Sequence, residues 1–344
     1  NAFSVNFNAS FGNQRDITYE SKYDFAYTGS LNFNSDFGLS EKYNLKLGKL
    51  LNLGDEYKNA KLYFFLPFLP LAPMYTTNFT ASTDFNRTRN ESKQRNYDFE
   101  DPTGRMFRAN RGFGFNWKFI EDWIVDLTGT YSVRIGSDLT NMETDSLSKQ
   151  RTNSEIFGDI FLQDGLVNFG KDLEYSQSTA INPKFNIPIL NKFVELATNY
   201  SVSYGWMNPN TTVNIGYNVG YSNTWNIQTN IKFNEIFALF KSSDGAPQKF
   251  KSLRSASQDS IPDANKTNIT DLLKIVATFI PENINLTFNQ TNQVMNPGVE
   301  GRPGFGNFWM TASAKESFGP SRMYQLGLNM YPGKRVPNLS NITD

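Results

Sequence analysis

Few residues in this sequence could carry out chemistry, and none of them forms a catalytic pattern. The chain has no Cys and no His, which excludes Ser–His and Cys–His catalysis and the common zinc and iron–sulfur sites. Two pairs of neighbouring carboxylates, Glu100 with Asp101 and Glu121 with Asp122, lie at predicted loops or turns, where nothing places them across a cleft. The glycine-rich stretch 301–306 follows no strand–turn–helix unit, so a turn is favoured over a phosphate-binding loop. We therefore expect no enzyme activity, no cofactor and no metal site.

The overall composition is neutral, polar on average and rich in aromatic residues. The 344 residues include 33 Lys and Arg and 33 Asp and Glu, so no basic surface for nucleic acid is predicted. Aromatic side chains make up 15% of the chain although its mean hydropathy is -0.49. The longest apolar stretch, 62–73, is shorter than the ~18 residues of a transmembrane helix and is interrupted by prolines. The chain therefore needs an architecture that separates its aromatic residues from its polar ones.

Apolar and polar residues alternate along much of the chain. In the run 194–206, the even-numbered positions are mostly Val, Leu, Tyr and Trp, and the odd-numbered positions are mostly Asn, Ser and other small or polar residues. Successive side chains of a strand point to opposite faces, so this run predicts a two-faced β-strand. It exceeds the usual ~5–6 residues of a globular strand and reaches the ~9–11 residues that cross a bilayer. The same pattern predicts strands in the runs 3–9, 25–33, 43–47, 75–86, 113–119, 123–134, 181–189, 225–233 and 284–288.

These strands predict an all-β fold, an antiparallel transmembrane β-barrel in which residues 1–344 form a single segment. One face of each strand carries aromatic and aliphatic residues that suit lipid, and the other carries Asn, Thr, Ser and Gln that suit a wet lumen. The predicted lipid-facing residues are Phe79, Phe85, Val125, Leu127, Tyr131, Leu196, Tyr200, Val202 and Ile227. The predicted lumen-facing residues are Asn78, Thr80, Thr128, Thr130, Asn199, Ser201, Gln228 and Asn230.

The connections between predicted strands alternate between short turns and long loops, as in outer-membrane barrels. Two short turns near residues 119–123 and 189–193 have aromatic shoulders, Phe119, Trp123 and Phe193, which are predicted to lie at the membrane interface. Long polar loops are predicted at about 87–105, 135–172 and 241–267. Within the second loop, residues 154–161 favour a short helix capped by Ser154.

A series of short motifs follows in a fixed order along the chain. They are 66–70 (LPFLP), 95–98 (RNYD), 111–117 (RGFGFNW), 169–171 (FGK), 187–194 (IPILNKFV), 199–206 (NYSVSYGW), 285–288 (NLTF) and 303–305 (PGF). In their order and spacing, and not through any catalytic signature, these motifs resemble the SprA/Sov family, the outer-membrane translocons of the type 9 secretion system in Bacteroidota.

The resemblance implies that the chain is an internal segment, a curved arc of a much larger barrel that exports folded proteins and supports gliding motility. It also implies secreted cargo proteins, a PorV-like shuttle and a periplasmic plug protein as partners, with outer-membrane lipid around the barrel. Two alternatives stay open at this point. One is a complete, smaller outer-membrane barrel, either a porin or a ligand receptor, and the other is a soluble extracellular β-rich adhesin whose aromatic side chains pack against a second sheet.

Overall fold

The computed structural model describes most of the chain, including all the long strands discussed below. The described residues are 2–36, 44–52, 54–63, 76–96, 103–161, 170–209, 215–233, 235–236, 281–302, 308 and 319–336. The strands are β1 (Ala2–Gln14), β2 (Tyr19–Ser35), β3 (Asn44–Lys46), β4 (Lys61–Tyr63), β5 (Thr76–Gln94), β6 (Gly104–Glu121), β7 (Val125–Asp138), β8 (Lys171–Phe185), β9 (Val194–Met207), β10 (Tyr217–Lys232) and β11 (Asn283–Val299). The helices are α1 (Leu47–Leu50), α2 (Asn153–Phe161), α3 (Pro188–Asn191) and α4 (Arg322–Gln325), with 3-10 turns at Asp55–Tyr57 and Thr140–Met142.

The strands form one antiparallel sheet, which confirms the predicted all-β fold. The long strands follow the order β1-β2-β5-β6-β7-β8-β9-β10-β11, and the short strand β3 pairs with β4, which in turn pairs with β6. In the part of the chain that the structure describes, β1 and β11 lie at opposite edges of the sheet, so the sheet is open. None of the described helices is long and apolar enough to cross a membrane.

The long strands are longer than predicted, so one predicted loop was wrong, whereas β3 (Asn44–Lys46) is shorter than the predicted run 43–47. β5 continues to Gln94 and β6 begins at Gly104, so about half of the predicted loop 87–105 is strand. Arginine and asparagine make this stretch polar on both sides, but it pairs with β6 and also with β2, for example Arg87 with Tyr27. Its ladder hydrogen bonds therefore outweigh its low apolar content. The loop predicted at 135–172 is also too long, because β7 continues to Asp138 and β8 begins at Lys171. The loop predicted at 241–267 lies outside the described residues.

The strand predicted at 181–189 was placed too far along the chain, because β8 begins at Lys171 and ends at Phe185. Pro188 starts α3, the short helix that forms the turn into β9. Proline has no N–H to donate to a sheet ladder, but it is well suited to the first position of a helix.

The predicted helix in the loop after β7 is present as α2, but Ser154 is not its cap. Thr152 holds that position: its hydroxyl accepts the N–H of Glu155 at 3.3 Å, and the Glu155 carboxylate accepts the N–H of Thr152 at 2.7 Å. This reciprocal pair is a capping box, and the Thr152 N–H lowers the pKa of Glu155. The cap was placed two residues late because Ser154 is also a good capping residue, and only the Thr–Glu spacing distinguishes the two.

Candidate functional site

The strand register places the aromatic residues of all nine long strands on one side of the sheet. Directly paired residues of antiparallel strands share a face. Phe79 pairs with Phe115, Phe115 with Tyr131, Tyr131 with Thr179, and Thr179 with Val202, so one row crosses five strands. We call the side that contains this row the aromatic face and the opposite side the polar face.

The predicted residues separate onto these two faces as two complete sets. The aromatic face carries Phe79, Phe85, Val125, Leu127, Tyr131, Leu196, Tyr200, Val202 and Ile227. The polar face carries Asn78, Thr80, Thr128, Thr130, Asn199, Ser201, Gln228 and Asn230. What each face meets, lipid on one side and a lumen on the other, stays a prediction.

The polar face is lined by amide and hydroxyl groups that bond across strands. Asn78 donates to the side-chain oxygen of Asn34 at 2.9 Å, and Asn199 donates to that of Asn182. Further along the sheet, the Thr224 hydroxyl lies 3.2 Å from the Thr291 hydroxyl on β11. Such groups offer many weak hydrogen-bonding contacts and no single strong site.

Charged residues on the aromatic face are confined to one end of the sheet. Arg87, Arg111 and Asp172 mark that end, and Asp172 accepts hydrogen bonds from Arg111 at 2.9 Å and from Ser137 at 2.7 Å. From this level to the other end, which carries the turns 122–124 and 186–193, the described strands place no Asp, Glu, Lys or Arg on the aromatic face. We call this region the charge-free band. On β7 it runs from Val125 to Ile135, which matches the ~9–11 residues of a membrane-crossing strand.

The predicted interfacial aromatics lie where the charge-free band ends. Phe119 is near the end of β6, Trp123 is in the turn between β6 and β7, and Phe193 directly precedes β9. The turn at Trp123 is tight: Asp122 has a positive φ of 56°, and the Trp123 N–H donates to Asp126 at 3.4 Å. All three rings are half-buried, and their place at a membrane interface stays a prediction.

Residues 139–161 fold over the charged end of the aromatic face. Ile156 and Ile160, four residues apart on one side of α2, are fully buried in a cluster that includes Phe107. Beside this cluster, the Arg87 Nε atom lies 2.8 Å from Glu143 Oε1, with only 3% and 0% of the two side chains exposed. The ion pair fastens this loop to the sheet.

The Arg87 guanidinium is held on several other sides as well. It donates to Asn153 Oδ1 at 2.8 Å. Its central carbon also lies 5.7 Å from the ring centres of Phe25, Tyr27 and Phe107, within the range of a cation–π interaction. Periodicity alone could not reveal this site, because the acidic partner comes from a loop.

Residues 139–161 thus form one cover on the aromatic face, and residues 319–336 form a second cover, on β9–β11. Phe308 contacts the aromatic face beside the second cover. The Phe308 ring centre is 5.1 Å from that of Tyr131, and the Tyr200 hydroxyl donates to the carbonyl of Leu326. Tyr131, Tyr200 and Val202 are therefore buried within the chain, with at most 7% exposed. These three residues were predicted to face lipid, but other segments of the chain cover them on the aromatic face.

Comparison with known proteins does not assign the chain to a family. No family model matches it, and no curated protein matches at a significant level. Among the described residues, no three carboxylates come together as a metal site. The structure thus defines an open antiparallel sheet with one aromatic and one polar face.

Proposed function

We propose that this chain is a segment of a protein-conducting channel in the outer membrane of a Gram-negative, Bacteroidota-like bacterium. The observation that carries the proposal is the charge-free band. Aromatic side chains on it are exposed: Phe3 on β1 is 64% exposed and Phe288 on β11 is 55% exposed. On β1 the exposed aromatic row continues beyond the band with Phe7 and Phe11, which are 70% and 69% exposed. Large exposed apolar surfaces mark contact with a membrane or a partner, and strands of this length fit a bilayer.

The two open edges support an arc of a larger barrel. Unpaired strand edges are not tolerated in hydrocarbon, because their N–H and C=O groups have no partners there. In this proposal, β1 and β11 each pair with a further strand, and the sheet continues on both sides.

The polar face supports the passage of cargo through the lumen. Amide and hydroxyl groups bind a passing protein weakly and at many points, which suits a conduit that must release what it carries. The resemblance to the SprA/Sov translocons supplies the rest of the proposal: export of folded proteins by type 9 secretion, a part in gliding motility, a PorV-like shuttle and a periplasmic plug protein.

Site-specific photocrosslinking in secreting cells tests this function. A photoreactive residue at Ser201, on the polar face of β9, is expected to give adducts with secreted proteins. The matched position is Leu196, on the aromatic face of the same strand, where such adducts are expected to be absent. Equal yields of cargo adducts from both positions, or none from Ser201 during active secretion, would contradict the proposal.

The two alternatives make different structural demands. A complete small barrel needs its first and last strands to pair, but β1 and β11 lie at opposite edges of the described sheet. A soluble adhesin needs the aromatic face to be covered along its length. The described strands form a single sheet, and Phe7 and Phe288 are exposed. Both observations favour the arc.

A further inference from the structure

Amide side chains interrupt the aromatic face under and beside the second cover. Gln177, Asn223 and Asn296 lie on this face and are only 1%, 5% and 9% exposed. Burying an amide costs free energy unless it is hydrogen-bonded, so each needs a partner. The Gln177 Oε1 atom has its partners within the sheet, where it accepts from the hydroxyls of Tyr131 and Tyr175 at 3.2 and 3.0 Å.

The other two amides donate to residues of the cover. Asn223 Nδ2 donates to the carbonyl of Gly327 at 2.9 Å, and Asn296 Nδ2 donates to the hydroxyl of Tyr324 at 2.8 Å. The Tyr200 hydroxyl donates to the preceding carbonyl, that of Leu326. Three strands thus contribute three donors to one short stretch of peptide.

The ring of Tyr324 fills the space between these donors. It is fully buried and meets the rings of Tyr204 and Tyr221 edge to face, with centres 6.1 and 5.2 Å apart. Edge-to-face pairs at these distances are favourable. Burial raises the pKa of the Tyr324 hydroxyl, which stays neutral.

Gly327 allows the backbone to come this close. Its φ is +68°, and a Cβ at this position would lie 2.9 Å from Asn223 Nδ2 and 3.1 Å from the Tyr200 hydroxyl. Any other residue would be strained there and would push the carbonyls away from their donors.

We propose that Tyr200, Tyr204, Tyr221, Asn223 and Asn296 form a peptide-binding cleft. Its ligand is a peptide turn with a tyrosine ring, followed two and three residues later by the carbonyls of a leucine and a glycine. The occupant is the chain's own segment 321–327. By covering this part of the aromatic face, the segment prevents it from contacting anything outside the chain. The inference rests on contacts within the chain and does not depend on the channel function.

Limited proteolysis of the intact protein tests the cleft. Asn223→Leu removes the donor to Gly327, and we expect trypsin to cut after Arg322 about tenfold faster, since the carbonyl loses its partner. The matched control is Asn226→Leu, on the same strand but on the polar face, which should leave the cleavage rate unchanged.

Gly327→Ala tests the same contact without changing a residue of the sheet, because Gly327 lies in the second cover. It is expected to speed the same cleavage. In a Tyr324→Ala protein, a labelled synthetic peptide of residues 319–336 is expected to bind, and the same peptide with Tyr324→Ala is not. Wild-type cleavage rates in both Asn223→Leu and Gly327→Ala, or peptide binding that ignores the tyrosine, would overturn the proposal.

Discussion

Replacing Glu143 with alanine is expected to detach residues 139–161 from the sheet, at a cost of about 3–5 kcal/mol. The substitution leaves the Arg87 guanidinium buried without its carboxylate partner. The hydrogen bond from Arg87 to Asn153 remains. A buried charge without a counter-charge is far more costly than the loss of a surface pair. Hydrogen exchange at the amides of Ile156 and Ile160 measures the effect, because both residues pack in the cluster beside the ion pair.

Asp159→Ala is the matched control for Glu143→Ala. It breaks a second ion pair in the same loop, Arg151 with Asp159 at 2.6 Å, but those side chains are 24% and 38% exposed. Exposed pairs contribute about 0–1 kcal/mol. Replacing both Arg87 and Glu143 with apolar residues of similar size should restore much of the protection of these amides against hydrogen exchange. If Glu143→Ala increases exchange no more than Asp159→Ala, the ion pair does not hold the loop.

The second large effect is expected when a charge is placed on the charge-free band. Ile227 lies in this band and pairs with Thr198 and Phe288. Ile227→Arg would place a guanidinium in hydrocarbon, which costs about 2–4 kcal/mol near the middle of the bilayer. Denaturant titration of the intact protein in lipid vesicles measures this change in the free energy of unfolding.

The neighbouring residue provides the control, because Gln228 points to the opposite face. Gln228→Arg places the same side chain on the polar face, where it is expected to stay in water and change the free energy of unfolding by less than about 1 kcal/mol. Equal losses for Ile227→Arg and Gln228→Arg would mean that the two faces do not differ in their surroundings.

The sequence predicted the two faces well, because a strand's side chains alternate strictly and the register preserves that alternation from strand to strand. Phe79 and Tyr131 are distant in sequence, yet both lie in one row through Phe115. Strand ends were predicted less well, since β5 stays in the sheet through a stretch that is polar on both sides. Its hydrogen bonds to β2 and β6 join residues that are distant in sequence, so the local pattern of apolar and polar residues cannot predict them.

The covers could not be predicted from alternation. Tyr131, Tyr200 and Val202 have the residue types of a lipid-facing surface, but segments far along the chain bury them. A signal was present nevertheless: Asn223 interrupts an otherwise apolar alternation between Tyr221 and Trp225. A lone buried amide on an apolar face indicates a hydrogen-bonding partner, although the sequence does not say which segment supplies it.

Quenching by brominated lipid tests the central claim, that the aromatic face contacts the membrane, most directly. The chain has no cysteine, so single cysteines introduced within it at Leu127 and at Thr128 can each carry a fluorescent label. These neighbours on β7 lie on the aromatic face and the polar face respectively. We expect strong quenching of the label at Leu127 and little quenching at Thr128 when the intact protein is in vesicles of brominated lipid. Equal quenching at both positions, or stronger quenching at Thr128, would contradict this claim.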